Sequence, residues 1–177
     1  PRMASGHLQG QLLRMLTGMI RPKVVVEIGT YSGYSALSMA AGMTADAVLH
    51  TFEINDEQEV FTRPWLEGSP YPPRIVLHIG EVEKLLPPMN LSIDLAFIDA
   101  NKRQYVDYYN LLMPFIAPGG YILADNTLSD GHVIDPAYDR DAQTRGIRAF
   151  NDLVRDDERV EKVILPLRDG LSLIRKI

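Results

Sequence analysis

"KVVVEIGTYSGYSALSMA", Lys23 to Ala40, starts as a continuous apolar run, breaks at a glycine-bounded turn and resumes at helical spacing. An apolar run without alternation is the mark of a strand covered on both faces, which is how parallel sheets are built. The same alternation of runs and helical stretches repeats on either side. "AVLHTFEI" (47–54), "RIVLHIG" (74–80), "IDLAFIDA" (93–100) and "YILADN" (121–126) read as four more strands. Leu8, Leu12, Met15, Leu16 and Met19 recur at helical spacing ahead of them, and Arg21-Pro22 stops that helix. Further helices are expected from Asn55, in "EVEKLLPPM", in "QYVDYYNLLMPFI" and in "DAQTRGIRAFNDLVRDD" (141–157), where Ile147, Phe150 and Val154 share a face. "PGG" (118–120) reads as a turn before the fifth strand, and residues 127–140 as a polar loop. "VEKVILPL" and "GLSLIRKI" close the chain as a strand pair around "RDG", which has hairpin chemistry. Strands alternating with helices predict an α/β fold: one Rossmann-like, doubly wound domain over residues 1–177. Its sheet has about seven strands and is mostly parallel, with an antiparallel C-terminal strand.

The bulk numbers exclude several functions. A net charge of −5 over 177 residues gives no basic field to hold nucleic acid or an anionic membrane. The absence of cysteine removes disulfides, thiolate metal sites and a cysteine nucleophile, and fits a cytoplasmic protein. No apolar stretch reaches the roughly 18 residues of a membrane span. "PRMASGHLQG" has no signal-peptide core, and it begins on Pro, so residues upstream are expected.

In open α/β sheets ligands bind beyond the carboxyl ends of the strands. Those ends deliver Glu27 with the loop Gly29 to Gly33, then Glu53, Gly80, Asp99, and Asp125-Asn126. Gly29 and Gly33 alone describe a plain tight turn. A dinucleotide fingerprint needs a central glycine that "GTYSGYS" lacks, and Glu27 would repel phosphates. A cationic or zwitterionic ligand carrying a ribose suits the loop better, with Glu53 accepting from the ribose hydroxyls. Asp99, Asp125 and Asn126 offer only hard oxygen donors, which match Mg²⁺ or Ca²⁺ rather than zinc. An Asp pair in isolation is more often a cap or a turn; ending two apolar strands at the ligand edge favours a metal. Lys102 is either a general base beside that cation or an ordinary solvated lysine.

"VVVEIGTYSGYSALSMA", "FIDANKRQYVDYYNLLMPFIAPGGYILADN" and "ILPLRDGLSLIRK" together resemble the cation-dependent O-methyltransferases that use S-adenosylmethionine, the relatives of catechol and caffeoyl-CoA O-methyltransferases. The resemblance runs from "RMASGHLQGQLL" onward, nearly the whole chain. It implies that Asp99, Asp125 and Asn126 bind a divalent cation, usually Mg²⁺. It makes Asp99 and Lys102 the catalytic pair and puts Asp99 on the cofactor side as well. Glu53 would hold the ribose, while Glu27, Gly29, Thr30 and Ser35 line the methionine end. Ser5 matches a backbone contact to the cofactor's amino acid, Val82 a position beside adenine, and Tyr31 one near the sulfonium. The acceptor implied is a small phenol with adjacent hydroxyls, one of which attacks the methyl group in line. A homodimer is implied too, as is a sheet whose reversed last strand lies inside it. The chain departs from the family at Asn101, often Asp, at Val82, usually smaller, and in lacking covering helices before Pro1.

Two other readings remain open at this level: a nucleotide-cofactor oxidoreductase, and a catalytically silent S-adenosylmethionine-binding protein. The remaining residues are read as structural. His50 and His78 are packed or surface residues and His132 a solvated loop histidine. Trp65 packs its helix, Tyr105 is a helix-packing residue, and Arg145 and Arg148 form a solvated face.

Overall fold

The computed structural model describes residues 6–177, so Ser5 lies outside the described residues. Seven strands form one mixed sheet in the order β3-β2-β1-β4-β5-β7-β6. By its contacts the chain divides into two compact units, Pro1–Ile93 and Asp94–Ile177.

The first unit alternates α1 (Gly6–Ile20), β1 (Val24–Ile28), α2 (Tyr34–Ala40), β2 (Val48–Glu53), α3 (Glu57–Glu67), β3 (Arg74–Ile79) and the single turn α4 (Val82–Leu85). β1 pairs in parallel with β2, and β2 with β3, in the register Val26↔His50↔Val76. Val25, Val26 and Leu49 are fully buried, as apolar runs require of strands covered on both sides. α1 lies against α2, where the Thr17 hydroxyl donates to the carbonyl oxygen of Met39 at 3.0 Å.

β4 (Ile93–Ile98) leads into the second unit, followed by α5 (Tyr105–Leu112), β5 (Ile116–Asp125), α6 (Ala142–Asp156), β6 (Val160–Leu165) and β7 (Leu171–Lys176). β7 is antiparallel to both β5 and β6, so the reversed strand sits inside the sheet and the solvated β6 takes the edge. α6 buries Thr144, Ile147, Phe150 and Val154, and its N-terminus is capped by Asp141 Oδ2 accepting from Thr144 N at 2.7 Å.

Four local expectations change. "PGG" is part of β5, which extends to Ile116 with Gly119 at φ +80°. α5 is shorter than its apolar pattern, because Pro114 cannot continue a helix. The 127–140 loop contains 3-10 turns at Ser129–Ile134 and Pro136–Tyr138. Arg148 holds it by donating to the carbonyl oxygens of His132, Val133 and Asp135, which is more than a solvated face does. Among the described residues no helix is long and apolar enough to cross a membrane.

Candidate active site

In the first unit the site residues gather around the loop after β1. Gly33 opens α2 at φ +77°, a left-handed conformation that disfavours any residue with a Cβ, and its N–H closes the turn onto Thr30 O at 2.8 Å. Glu27 is fully buried at the end of β1. Its carboxylate accepts from the hydroxyls of Ser35 and Thr51, each at 2.5 Å, and the Thr51 hydroxyl also meets that of Thr30 at 2.5 Å. The acid is thereby fixed in one orientation by α2 and β2 together. Glu53, at the end of β2, accepts backbone N–H bonds from Tyr31 at 2.8 Å and Asn55 at 2.9 Å, one on each oxygen. Each carboxylate oxygen keeps a lone pair for a further donor. Tyr31 is held at φ +46° by that bond and by the Thr62 hydroxyl on its carbonyl, which leaves its ring partly exposed. Gly29 donates to Phe52 O, and Gly80 to Glu53 O. Val82 is buried at the start of α4. Sequence reasoning missed Thr51 and Thr62. Each is a lone hydroxyl in an otherwise ordinary strand or helix pattern, which carries no local signal.

In the second unit the ends of β4 and β5 are tied by Tyr105. This tyrosine is fully buried, and its hydroxyl donates toward the carbonyl oxygens of Asp125 at 3.0 Å and Ile98 at 3.3 Å. Lys102 Nζ donates to that hydroxyl and to Asp99 Oδ1, both at 2.8 Å, with the Lys102 and Asp99 side chains only 18% and 20% exposed. One of its three N–H directions remains for a ligand. Burial, and then the nearby charges of Asp99 and Asp125, push the Tyr105 phenol well above its ordinary range, so it stays a neutral strut. Asn101 caps the turn that carries Lys102, its Oδ1 accepting from Arg103 N at 3.2 Å.

Asn126 sits at φ +58°, a conformation asparagine tolerates better than most residues. Its Nδ2 donates to Asp169 Oδ2 at 3.0 Å, and Asp169 Oδ1 accepts from Asp130 N at 2.6 Å. An ionised carboxylate accepts only, so the Asn126 amide must turn its nitrogen to Asp169 and present its oxygen elsewhere. The 168–170 turn, read as hairpin chemistry, thus also clamps the Asn126 side chain. No group of three or more His, Cys, Asp or Glu able to hold a metal occurs among the described residues. The oxygen set is two carboxylates plus this amide, which fits a hard cation that keeps some water or ligand oxygens.

Solved structures of the same fold give the class. The chain superposes with a TM-score of 0.92 on the Bacillus cereus O-methyltransferase in complex with S-adenosylhomocysteine, at 25% identity, covering 100% of this chain and 84% of that one. It superposes with a TM-score of 0.91 on TomG from Streptomyces achromogenes, an O-methyltransferase involved in tomaymycin synthesis and solved with S-adenosylmethionine. That match has 26% identity over 99% of this chain and 82% of that one. Caffeoyl-CoA O-methyltransferase 2 of Zea mays is 33% identical over 99% of this chain and 70% of its own length. The Zinnia elegans caffeoyl-CoA O-methyltransferase is 34% identical over 99% of this chain and 76% of its length. The class is that expected from the sequence, an S-adenosylmethionine-dependent O-methyltransferase. The O-methyltransferase family model matches residues 1–177, and the chain belongs to that family.

Proposed function

We propose that this enzyme transfers a methyl group from S-adenosylmethionine to one hydroxyl of a small catechol-like phenol, with a divalent cation, Mg²⁺ foremost, held by Asp99, Asp125 and Asn126. The observation that supports the reading is the Asn126 amide, whose nitrogen donates to Asp169 and whose oxygen is left to serve as a ligand alongside the two strand-end acids. When bound, the cofactor supplies the methyl group and the cation supplies a Lewis acid for ionising the acceptor hydroxyl.

The chain's own residues do the rest by positioning. Glu53 accepts the ribose hydroxyls on lone pairs its backbone donors leave over. Glu27, anchored by Ser35 and Thr51, takes the positive amino end of the cofactor, with Gly29 and Thr30 alongside. Tyr31 lies near the sulfonium, and Val82 bounds the adenine. Lys102, held by Asp99 and Tyr105, turns its third position to the acceptor oxygen: as the ammonium it steadies that oxygen's negative charge with an N–H, and as the neutral amine it takes the proton on its lone pair. A homodimer in the cytoplasm, with no nucleic-acid or membrane partner, completes the proposal.

The test is mass-spectrometric methyl transfer to a panel of small catechols with Mg²⁺ and with EDTA. Product that vanishes with EDTA supports both acceptor class and cation. Equal product in EDTA removes the cation, and cofactor binding without any product supports the silent alternative.

A further inference from the structure

We propose that a groove on the helical side of the first unit, between α1, α2 and the segment after α3, binds a planar aromatic carboxylate. Its volume is about 390 Å³, within the size range of small-molecule sites. None of the residues assigned to the methyl-transfer site lines it.

Three aromatic side chains wall the groove: Tyr34 at 38%, Tyr71 at 40% and Trp65 at 62% exposure. Trp65 was expected to pack its helix, yet most of its surface faces outward. The Tyr34 wall is built in. A Cβ on Gly10 would lie 2.9 Å from the Tyr34 hydroxyl and 2.8 Å from Ser38 Oγ, so only glycine lets α1 come this close to the ring. Ser38 in turn donates to the Tyr34 carbonyl oxygen at 2.7 Å.

The charge on the lining is one-sided. Arg14 and His7 contribute to it and no Asp or Glu does, in a chain whose net charge is −5. Among the described residues the Arg14 guanidinium makes no ion pair. Flat aromatic walls favour a stacked ring, and a guanidinium beside them favours a carboxylate taken through two parallel N–H bonds. A phosphorylated ligand would call for more cations or a fan of backbone N–H donors. The single strong cation and three rings fit a monoanionic aromatic acid better.

Trp65 is the only tryptophan of the chain, so its fluorescence reports on this groove alone. The probe is 2-naphthoate, which has no hydroxyl to methylate, with neutral 2-naphthamide as its isostere. Titration of the full chain, corrected for ligand absorption and repeated by calorimetry, should give saturable binding. Arg14→Gln, with an unchanged melting temperature, should bind naphthoate about tenfold or more weakly, the loss of one charge-assisted pair. The amide should be weaker by a similar factor, and excess S-adenosylhomocysteine should displace nothing. The proposal is overturned by non-saturable binding, by equal affinity for acid and amide, by indifference to Arg14→Gln, or by displacement by S-adenosylhomocysteine.

Discussion

Asp169 fixes the orientation of the Asn126 amide: Asn126 Nδ2 donates to Asp169 Oδ2 at 3.0 Å, across 43 residues of sequence. Asp169→Asn keeps the shape but can offer a donor where only an acceptor stood, so the Asn126 amide is free to flip. Partners that orient a ligand in this way are typically worth 10- to 100-fold in metal affinity. Mg²⁺ affinity measured by calorimetry should therefore fall about tenfold or more in Asp169→Asn, with an unchanged circular dichroism spectrum. Unaltered affinity would remove Asp169 from the cation site.

Tyr105→Phe deletes one hydroxyl and leaves the ring, which packs edge-on against Phe150 with centroids 5.5 Å apart. Lys102 loses one of its two anchors, and two carbonyl oxygens at the strand ends lose a donor. Denaturant unfolding should show a loss of about 1–3 kcal/mol. Turnover should fall much further than the affinity for S-adenosylmethionine, because the proposed mechanism gives the displaced group to the acceptor rather than to the cofactor. Steady-state kinetics with both substrates varied will separate the two, and equal kcat in variant and parent would refute a positioning role.

These residues show where sequence patterns stop being informative. β1 to β4 are legible because short apolar-rich runs bounded by turn signals have few alternatives, and Asp99, Lys102, Asp125 and Asn126 stand out as candidates because they come at or after the ends of such runs. The first half of β5 is not, since Pro118-Gly119-Gly120 has the local chemistry of a turn and only tertiary pairing makes it strand. Tyr105 falls on the buried stripe of α5, so its ring accounts for its position and hides the work of its hydroxyl. Asp169 looked like a hairpin residue because its partner is remote in sequence. Trp65, read as a packing residue, is 62% exposed, because nothing in its local sequence tells an outward apolar side chain from an inward one.

Gly146 fixes Lys102 from the other side. A Cβ there would lie 2.3 Å from the Lys102 carbonyl oxygen, so α6 must back away or the Lys102 turn must move. Gly146→Ala favours the helix intrinsically yet should destabilise the fold by about 1–3 kcal/mol through overpacking, and should depress methyl transfer. Arg145→Ala, one residue away on the exposed side, is the control that should leave both nearly unchanged. Gain of stability in Gly146→Ala would refute the contact.

Thr51→Val tests how Glu27 is held. The substitution keeps shape but removes the hydroxyl that donates to Glu27 Oε2, leaving a fully buried carboxylate oxygen short of a donor. The cost should be about 1–3 kcal/mol. Thermal stabilisation by S-adenosylhomocysteine should shrink as well, because the acid loses the partner from β2 that orients it. An unchanged ligand-induced shift would separate Glu27 from the cofactor.

Acid should weaken this protein in two stages. His50 Nδ1 and His78 Nε2 lie 3.0 Å apart, with their rings stacked, and His78 also stacks on Phe52. Burial first, and then the charges of His78 and Arg74, bring His50 down from 6.5 to about 4, while burial lowers His78. A lowered folded value means that the unfolded chain binds the proton more readily. Stability is therefore fully present above pH 6.5 and is lost as pH falls from there to about 4. Because His50 is only half-buried, solvent screening holds its share to about 2 kcal/mol or less. The second stage belongs to carboxylates such as Asp46, lowered from 3.8 to about 2 by Lys23, whose contribution disappears only below pH 4. His50→Leu should flatten unfolding free energies between pH 6.5 and 4 while leaving the lower stage in place. The same slope in variant and parent would mean that the pair takes up its proton without opposing the fold.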